Sequence, residues 1–148
     1  MKISRIHTQI VRLPADEPLA GGPATPGATR DFVTLTIGTD GGIEGIGATF
    51  FGGALTGALR TAVEALGQLT IGEDPLKIEA IVAKLRAAAG NSGPGGIFTL
   101  ALAAIDIALW DIKGKAFKQP LVQLAGGFRS RVPTYASGAL MRTFPLDH

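Results

Sequence analysis

The segment FVTLTIGTDGGIEGIGATFF, residues 32–51, consists of two apolar runs joined by a turn. In the first run, residues 32–37, bulky apolar residues alternate with threonine, as they do in a strand with one buried face. The four residues TDGG at 39–42 are typical of a tight turn, and the second run extends over residues 43–51. The segment therefore predicts an antiparallel β-hairpin.

Two glycines in the second run, Gly45 and Gly47, give that strand a bare surface. Residues two apart on a strand share a face, so both missing side chains fall on one side of the sheet. A glycine inside a strand often marks a place where another backbone comes close. We therefore expect close approach of another backbone to this face.

The region before the hairpin predicts a further strand and a long loop. Residues 3–13 are rich in β-branched side chains and end at Pro14, which indicates a strand. Residues 15–30 are rich in proline and glycine and have almost no apolar periodicity. Long loops of this kind are usually functional covers or disordered.

After the hairpin, the apolar residues follow a helical period. We predict one helix with Thr56 as its N-cap and a second that begins at Asp74-Pro75, an acid followed by proline at the first helical position. Residues 97–117 predict a third helix, apolar on nearly all sides and therefore central. A short helix after Pro120 and a strand over 132–137 complete the order. The apolar stripes of the first two helices are Leu59, Val63, Leu66 and Leu69, and Ile78, Ile81, Val82 and Leu85.

This order predicts the α+β class, with an antiparallel three-stranded meander followed by a helical bundle. The strand over 132–137 has no partner nearby in sequence, so we expect its partner beyond residue 148 and a truncated chain. At 148 residues, the chain is also shorter than a complete (β/α)₈ barrel, which needs roughly 200 residues or more.

The composition bears on location and partners. The chain has no cysteine, which excludes a disulfide framework and a cysteine nucleophile and fits a reducing compartment, so we expect a cytoplasmic protein. Neither a secretory signal nor a membrane-spanning run is apparent. The cations between residues 111 and 147 lack the aromatic or helix-turn-helix context of a nucleic-acid site. They indicate a solvated basic face, or an edge that meets an acidic partner.

Pairs of charged residues on the third helix do not form an acid/base site. Asp106 and Asp111 are five apart, which places them about 140° apart around a helix. Lys113 and Lys115 diverge by about 200° on the same helix. We expect each acid to bond a helix end or a local cation.

Other motifs are incomplete as well. Histidine occurs only as His7, in a predicted strand, and as His148. The Gly-x-Gly at 45–47 lacks the third glycine of a dinucleotide site, and the glycine-rich stretch at 93–96 lacks the lysine of a phosphate loop. No constellation in this chain makes a complete active site.

The segment AAIDIALWDIKGK, residues 103–115, followed by PLVQLAGG at 120–127, resembles the enolase superfamily. More narrowly, it resembles the mandelate racemase and muconate lactonizing enzyme group. The resemblance covers the whole chain, with VPTYAS at 132–137 as the first barrel strand. Residues 93–137 are most similar to acid-sugar dehydratases of the talarate/galactarate type.

The resemblance implies a two-domain enzyme in which residues 1–127 form a capping domain and residues 128–148 begin a truncated (β/α) barrel. In the family, the barrel carries three carboxylate ligands for Mg²⁺ and the acid/base residues, commonly a Lys-x-Lys pair and a His-Asp dyad. None of those positions lies in this chain, so the resemblance carries over no catalytic or metal-binding residue. It also implies a homo-oligomer at full length.

The family's two cap loops correspond to residues 19–29 and 49–57. On this basis Thr25 could donate a hydrogen bond to a substrate, while Phe50 and Phe51 could wall the cavity. The alternative for Phe51 is simple anchoring of its loop. Tyr135 and Ser137 are two apart, so they share a strand face, and they approach the site in the family.

The resemblance implies a hydroxy-carboxylate substrate. A diacid would usually need a cation in the pocket, and Arg30 is the candidate at the loop edge; the alternative for Arg30 is a surface residue at the start of the strand. Dehydration of an acid sugar is the first expected reaction and racemisation of an α-hydroxy acid the second, with the lactonizing and dipeptide-epimerase branches as alternatives. A hypothesis of another class is a free-standing α+β interaction module without chemistry. A fragment would expose the apolar face of residues 132–135 and aggregate or dimerise, whereas a module would be monomeric.

Overall fold

The sheet is an antiparallel meander of three strands, and its middle strand is β2. The computed structural model describes residues 1–14, 27, 29–50 and 52–134. Strand β1 spans Ile3–Pro14, β2 spans Thr29–Thr39 and β3 spans Glu44–Thr49. The predicted hairpin is confirmed, and its turn is closed by a hydrogen bond of 3.0 Å from the Thr39 N–H to the Ile43 carbonyl.

One face of the sheet is covered by helices; no helix or strand of the described residues covers the other, which we call the open face. Val33, Leu35 and Ile37 alternate along β2 and are fully buried, because their side chains face the helices. In β3 the residues opposite them are Thr49, Gly47 and Gly45, in that order. The period of two thus places the apolar residues of the hairpin on one face, as a half-buried strand requires.

Four helices follow the sheet: α1 (Thr56–Gln68), α2 (Ile78–Ala89), α3 (Gly96–Phe117) and α4 (Leu121–Leu124). Short 3₁₀ turns at Gly53–Leu55 and Gly90–Ser92 precede α1 and follow α2. Helix α3 is central, as predicted, since it packs against β3, β2, α1 and α2. Its buried side chains are Phe98, Ala101, Leu102, Ala104, Ile105, Ala108, Leu109 and Ile112.

Strand β3 lies directly against the backbone of α3. A Cβ atom added to Gly45 would overlap the carbonyl oxygen of Ala108, and one added to Gly47 would overlap that of Ala104. These atoms belong to the helix backbone, which cannot step aside as a flexible side chain can. The predicted close approach to the two glycines is therefore confirmed, and α3 is the backbone concerned.

The first helix begins at Thr56 as predicted, but Thr56 is not its N-cap, and the predicted start of the second helix at Asp74-Pro75 is wrong. The Gly53–Leu55 turn precedes α1, so Leu55 is the N-cap and Thr56 lies inside the helix, its hydroxyl donating to the Gly53 carbonyl at 2.8 Å. Asp74 instead closes a turn, in which its carboxylate accepts the Leu76 N–H at 3.1 Å. Helix α2 begins only at Ile78, after that turn has redirected the chain.

The end of the described chain has little regular structure. After α4, residues 125–134 form neither helix nor strand. The strand predicted over 132–137 is absent from residues 132–134, and its remaining positions lie outside the described residues. Phe128 and Val132 are 89% and 70% exposed. None of the helices in the described part of the chain is long and apolar enough to cross a membrane.

Candidate functional site

Two connections leave the sheet at the same end. Pro14, the last residue of β1, pairs with Thr29, the first residue of β2. Thr49, the last residue of β3, pairs with Val33, four residues further along β2. The connections 15–28 and 50–55 therefore begin or end side by side, and this end of the sheet is the candidate site.

Phe50 is the one proposed site residue that the structure describes. It follows β3 directly, and its ring centroid lies 5.3 Å from that of Phe32, with the ring planes at 44°. Strand alternation places both rings on the open face, since their neighbours Val33 and Thr49 face the helices. Phe50 remains 42% exposed. The two rings give this end of the sheet an apolar, partly accessible surface.

The connection from β3 to α1 is braced at its far end. A Cβ atom at Gly52 would lie 2.7 Å from the Cα of Thr56, so only glycine fits against the start of α1. Gly53 has a φ of +50°, a left-handed conformation that other residues adopt at a cost. Leu55 in the same turn is 63% exposed. The turn thus presents an apolar side chain from a fixed backbone.

The other proposed site residues, Thr25, Phe51, Tyr135 and Ser137, lie outside the described residues. Phe32 was not among the predicted site residues, although its ring packs beside that of Phe50. The hairpin register contains the signal, because extending the pair between Val33 and Thr49 by one residue sets Phe32 opposite Phe50.

Some of the charged side chains at this end of the sheet form an ion pair. The Arg12 guanidinium donates two hydrogen bonds to the Asp31 carboxylate, at 2.7 and 3.0 Å. This hydrogen bonding holds the pKa of Asp31 below its usual value. Arg30 is exposed and lies in the same strand phase as Phe32. An anion at the open face would therefore meet Arg30 and not Asp31.

The two acids of α3 point to different neighbours, as predicted. Asp111 accepts the backbone N–H of Ile46 at 2.9 Å and the ammonium of Lys115 at 2.7 Å, and Lys115 also donates to the Glu44 carbonyl at 2.8 Å. The predicted divergence of the lysines is also confirmed, because Lys113 lies over the Trp110 ring, 4.6 Å from its centroid. Asp111 and Lys115 therefore bind backbone groups at the outer edge of β3.

Asp106 lies in a groove of about 260 Å³ between α2 and α3, together with Glu79 and Arg86. Burial, followed by repulsion from Glu79, raises the pKa of Asp106, while attraction to Arg86 opposes this. Across the described part of the chain, no group of three or more acidic, histidine or cysteine side chains could hold a metal ion. The described residues therefore do not form a metal site. The ionised form of Asp106 is disfavoured by its burial and by the nearby charge of Glu79.

Replacing Asp106 with asparagine is expected to raise the melting temperature at neutral pH. An acid whose pKa is higher in the folded than in the unfolded state weakens folding when ionised, and this penalty fades as the pH falls through the folded pKa. The gain from Asp106→Asn should therefore shrink on acidification and vanish below the unfolded pKa of about 3.9. Thermal unfolding followed by circular dichroism across this range measures it.

Asp31→Asn is the control of opposite sign. The pKa of Asp31 is lowered by Arg12, so its ionised form stabilises the fold above the unfolded pKa, and this contribution is lost as the pH falls through the folded pKa. Its replacement should lower the melting temperature at neutral pH. A gain for Asp106→Asn that grew with acidification would contradict the role of burial.

Comparison with known proteins identifies relatives of the chain. The family model described as "Mandelate racemase / muconate lactonizing enzyme, N-terminal domain" matches residues 6–126. The chain is 37% identical over 142 residues to the 3,6-anhydro-alpha-L-galactonate cycloisomerase of Streptomyces coelicolor, covering 92% of this chain and 38% of that protein. It is 45% identical over 108 residues to the D-galactonate dehydratase family member RspA of Cellvibrio japonicus, covering 72% of this chain and 26% of that protein.

A solved structure shares the same fold. The L-talarate dehydratase from Polaromonas sp. JS666, complexed with Mg and L-glucarate, superimposes with a TM-score of 0.76 at 28% identity, covering 86% of this chain and 36% of that one. The chain thus spans between 26% and 38% of the length of these three proteins.

Proposed function

Because the chain belongs to the mandelate racemase and muconate lactonizing enzyme family, through its N-terminal domain, we propose that it is the lid of a hydroxy-carboxylate enzyme. The observation that carries this proposal is the convergence of two connections at one end of the sheet, beside the apolar pair Phe32 and Phe50. A lid excludes water from a reaction and selects the substrate. Both tasks suit an apolar wall on a braced loop.

We propose that the complete protein abstracts the proton α to a carboxylate. The first candidate reaction is the dehydration of an acid sugar. The names of two relatives, a cycloisomerase and a dehydratase family member, support this class. Racemisation of an α-hydroxy acid is the second candidate, and the lactonizing branch is an alternative that the cycloisomerase relative supports. Abstraction of such a proton generates an enediolate dianion, whose charge needs a cation or strong hydrogen-bond donors.

Mg²⁺ and the acid/base residues are proposed to reside on barrel polypeptide that this chain does not contain. The Polaromonas enzyme binds Mg together with L-glucarate. When bound, the ion would stabilise the developing negative charge. The residues of this chain contribute in other ways: Phe50 and Phe51 wall the cavity, Thr25 donates to a substrate oxygen, and Arg30 attracts a carboxylate.

We propose that the capping domain ends at residue 127 and that the barrel begins at residue 128. Gly126 and Gly127 both have positive φ, of 98° and 58°, where the chain leaves α4. Phe128 and Val132 then expose large apolar side chains. These exposed groups support a packing role for residues 128–148 against a barrel, in which Tyr135 and Ser137 would lie on the first strand. Assembly of the complete protein as a homo-oligomer is proposed with it.

The function is tested by joining the chain to the barrel of the Polaromonas dehydratase in place of that enzyme's own N-terminal domain. We expect the isolated 148-residue chain to show no Mg²⁺-dependent turnover of any acid sugar, and the graft to turn over at least one. Phe50→Ala in the graft should raise KM more than it lowers kcat, because it removes a wall and leaves the reacting groups in place.

Two results would contradict the proposal. One is turnover by the highly purified chain alone. The other is a graft that folds and binds Mg²⁺ but turns over no member of a panel of mono- and diacid sugars. Reading the coding sequence beyond His148 is an independent check, in which we expect a Lys-x-Lys strand motif followed by three acidic strand ends.

A further inference from the structure

The two outer edges of the sheet differ in whether their outward backbone groups are hydrogen-bonded. On β3, the Ile46 N–H and the Glu44 carbonyl point away from β2 and are bound by Asp111 and Lys115 of α3. An edge strand whose backbone groups are occupied cannot pair with another strand at those positions. The β3 edge is therefore blocked over Glu44 to Ile46.

The free edge of β1 follows from the register. Because the backbone groups of Glu44 and Ile46 face outward, those of their β2 partners Gly38 and Thr36 face β1. Their β1 partners, Arg5 and His7, therefore bond to β2. Along β1 the alternate residues present their N–H and carbonyl groups to the outside; these are Ile6, Thr8, Ile10 and Arg12.

Within the described residues, no backbone hydrogen bond reaches the outward groups of Ile6, Thr8, Ile10 or Arg12. Among the residues that the structure describes, the start of the strand alone is covered: the Ile3 N–H donates to the Glu73 carbonyl at 2.9 Å, and the Gly72 N–H donates to the Ile3 carbonyl at 2.8 Å. Unpaired edge groups of this kind are a template for another strand.

The two arginines of β1 do not protect this edge from pairing with another strand. The Arg5 side chain lies across Gly38 of β2, with its Nε 3.4 Å from where a Cβ would stand, and its guanidinium pairs with Glu44 of β3. Arg12 is bound to Asp31 of β2. Natural edge strands often use free charges to repel other strands. Here both guanidinium groups are turned inward over the protein's own sheet.

We propose that β1 of a second copy of this chain pairs antiparallel with β1, about a two-fold axis at Thr8, to form a continuous six-stranded sheet. This register sets Ile6 of each copy opposite Ile10 of the other, on the helix-covered face. Ile10 is 40% exposed, and Ile6 is half-buried. The edge is self-complementary, as a two-fold interface requires.

Charge near the axis opposes this register only in part, because each acid there has a cation of its own copy beside it. Thr8 donates a hydrogen bond to Glu64 of α1, so the two Glu64 carboxylates approach each other across the axis. Each carboxylate already lies 3.5 Å from the guanidinium of Arg60 on its own helix. A shift of two residues would instead place Arg12 opposite Ile6, without an apolar match.

The dimer is tested in the 148-residue chain by sedimentation velocity over a range of concentrations. The wild type should dimerise, and Ile10→Lys should be monomeric, since a lysine there guards the edge without removing a bond of the β1–β2 ladder. The matched control is Ile46→Lys, the same change on the edge strand that α3 blocks, at a residue 57% exposed. It should leave the dimer intact.

A second experiment reads the register without depending on either lysine variant. His7 and Gln9 are exposed, their backbone groups face β2, and the proposed pairing sets His7 of one copy opposite Gln9 of the other. Such non-hydrogen-bonded pairs have Cα atoms about 4.5 Å apart, within disulfide reach. Because the chain has no native cysteine, a mixture of His7→Cys and Gln9→Cys chains should cross-link on mild oxidation, whereas neither alone should do so.

The outcomes separate this surface from others. A monomeric wild type at every concentration would overturn the proposal, as would a dimer that persists in Ile10→Lys with its melting temperature unchanged. Cross-linking of either cysteine variant alone, or none in the mixture, would overturn the register. A dimer formed through the apolar residues 128–134 would persist in Ile10→Lys and would give no cross-link in the mixture.

Discussion

Gly47→Ala is expected to prevent stable folding. The new methyl group would occupy the position of the Ala104 carbonyl oxygen, and separating β3 from α3 would disturb the centre of the core. Overpacking of a close-packed interior costs about 1–3 kcal/mol, and more where backbone must move, so we expect a loss above about 3 kcal/mol. Chemical denaturation followed by circular dichroism, together with soluble yield, measures the effect.

The matched control makes the same chemical change where there is room. Gly57 lies inside α1, and a Cβ there meets no atom within 4 Å. Because glycine is unfavourable in a helix, Gly57→Ala should be neutral or stabilise the chain by up to about 1 kcal/mol. A Gly47→Ala protein as stable as Gly57→Ala would show that α3 does not lie against β3 as described.

Leu109→Ala is expected to have the second largest effect. Leu109 is fully buried in α3, within the core shared by the sheet and the helices. Removing its side chain leaves a cavity that the packed neighbours fill only in part, and such substitutions cost about 2–5 kcal/mol. The midpoint of urea unfolding should fall, while its slope stays that of the wild type.

Ile107, two residues earlier on the same helix, provides the comparison. It is 48% exposed, so Ile107→Ala should cost less than about 1 kcal/mol. Equal losses for Leu109→Ala and Ile107→Ala would mean that the outer stripe of α3 is covered by another molecule under the conditions of the measurement. Repeating the experiment at lower protein concentration would then reduce the loss for Ile107→Ala only.

Local patterns predicted the main features of the fold. The period of two over residues 32–37 and the TDGG turn gave the hairpin, because alternation and turn chemistry depend on nearby residues only. Gly45 and Gly47 predicted close packing for the same reason. The identity of the packed backbone, α3, depends on residues about sixty positions away, which periodicity does not reveal.

The helix starts were harder to predict, since a capping residue serves equally well in a turn. Asp74 accepts the N–H two residues on, as an N-cap would, yet the helix begins only at Ile78. Thr56 lies in the first turn of α1, and its hydroxyl donates a hydrogen bond to the Gly53 carbonyl in the preceding 3₁₀ turn. Both departures from the predicted caps depend on the direction of the chain before each helix, which local sequence patterns do not specify.

The candidate site was predictable only through the resemblance. Composition and spacing correctly excluded an acid pair at Asp106 and Asp111, because their angle on a helix is fixed by geometry. Phe50 was proposed from family loops, whereas its partner Phe32 needed the register of the hairpin. The inward turn of Arg5 likewise depends on Gly38, a residue on another strand that contributes only by lacking a side chain.

The bracing of the connection between β3 and α1 has a mechanical consequence. One end continues from a strand fixed against α3, and the other is seated on the first turn of α1 by Gly52 and Thr56. At the helix end, the backbone at Gly52 lies against Thr56, so the turn at Gly53–Leu55 is expected to move together with α1. A shift of that turn would therefore carry the helix with it.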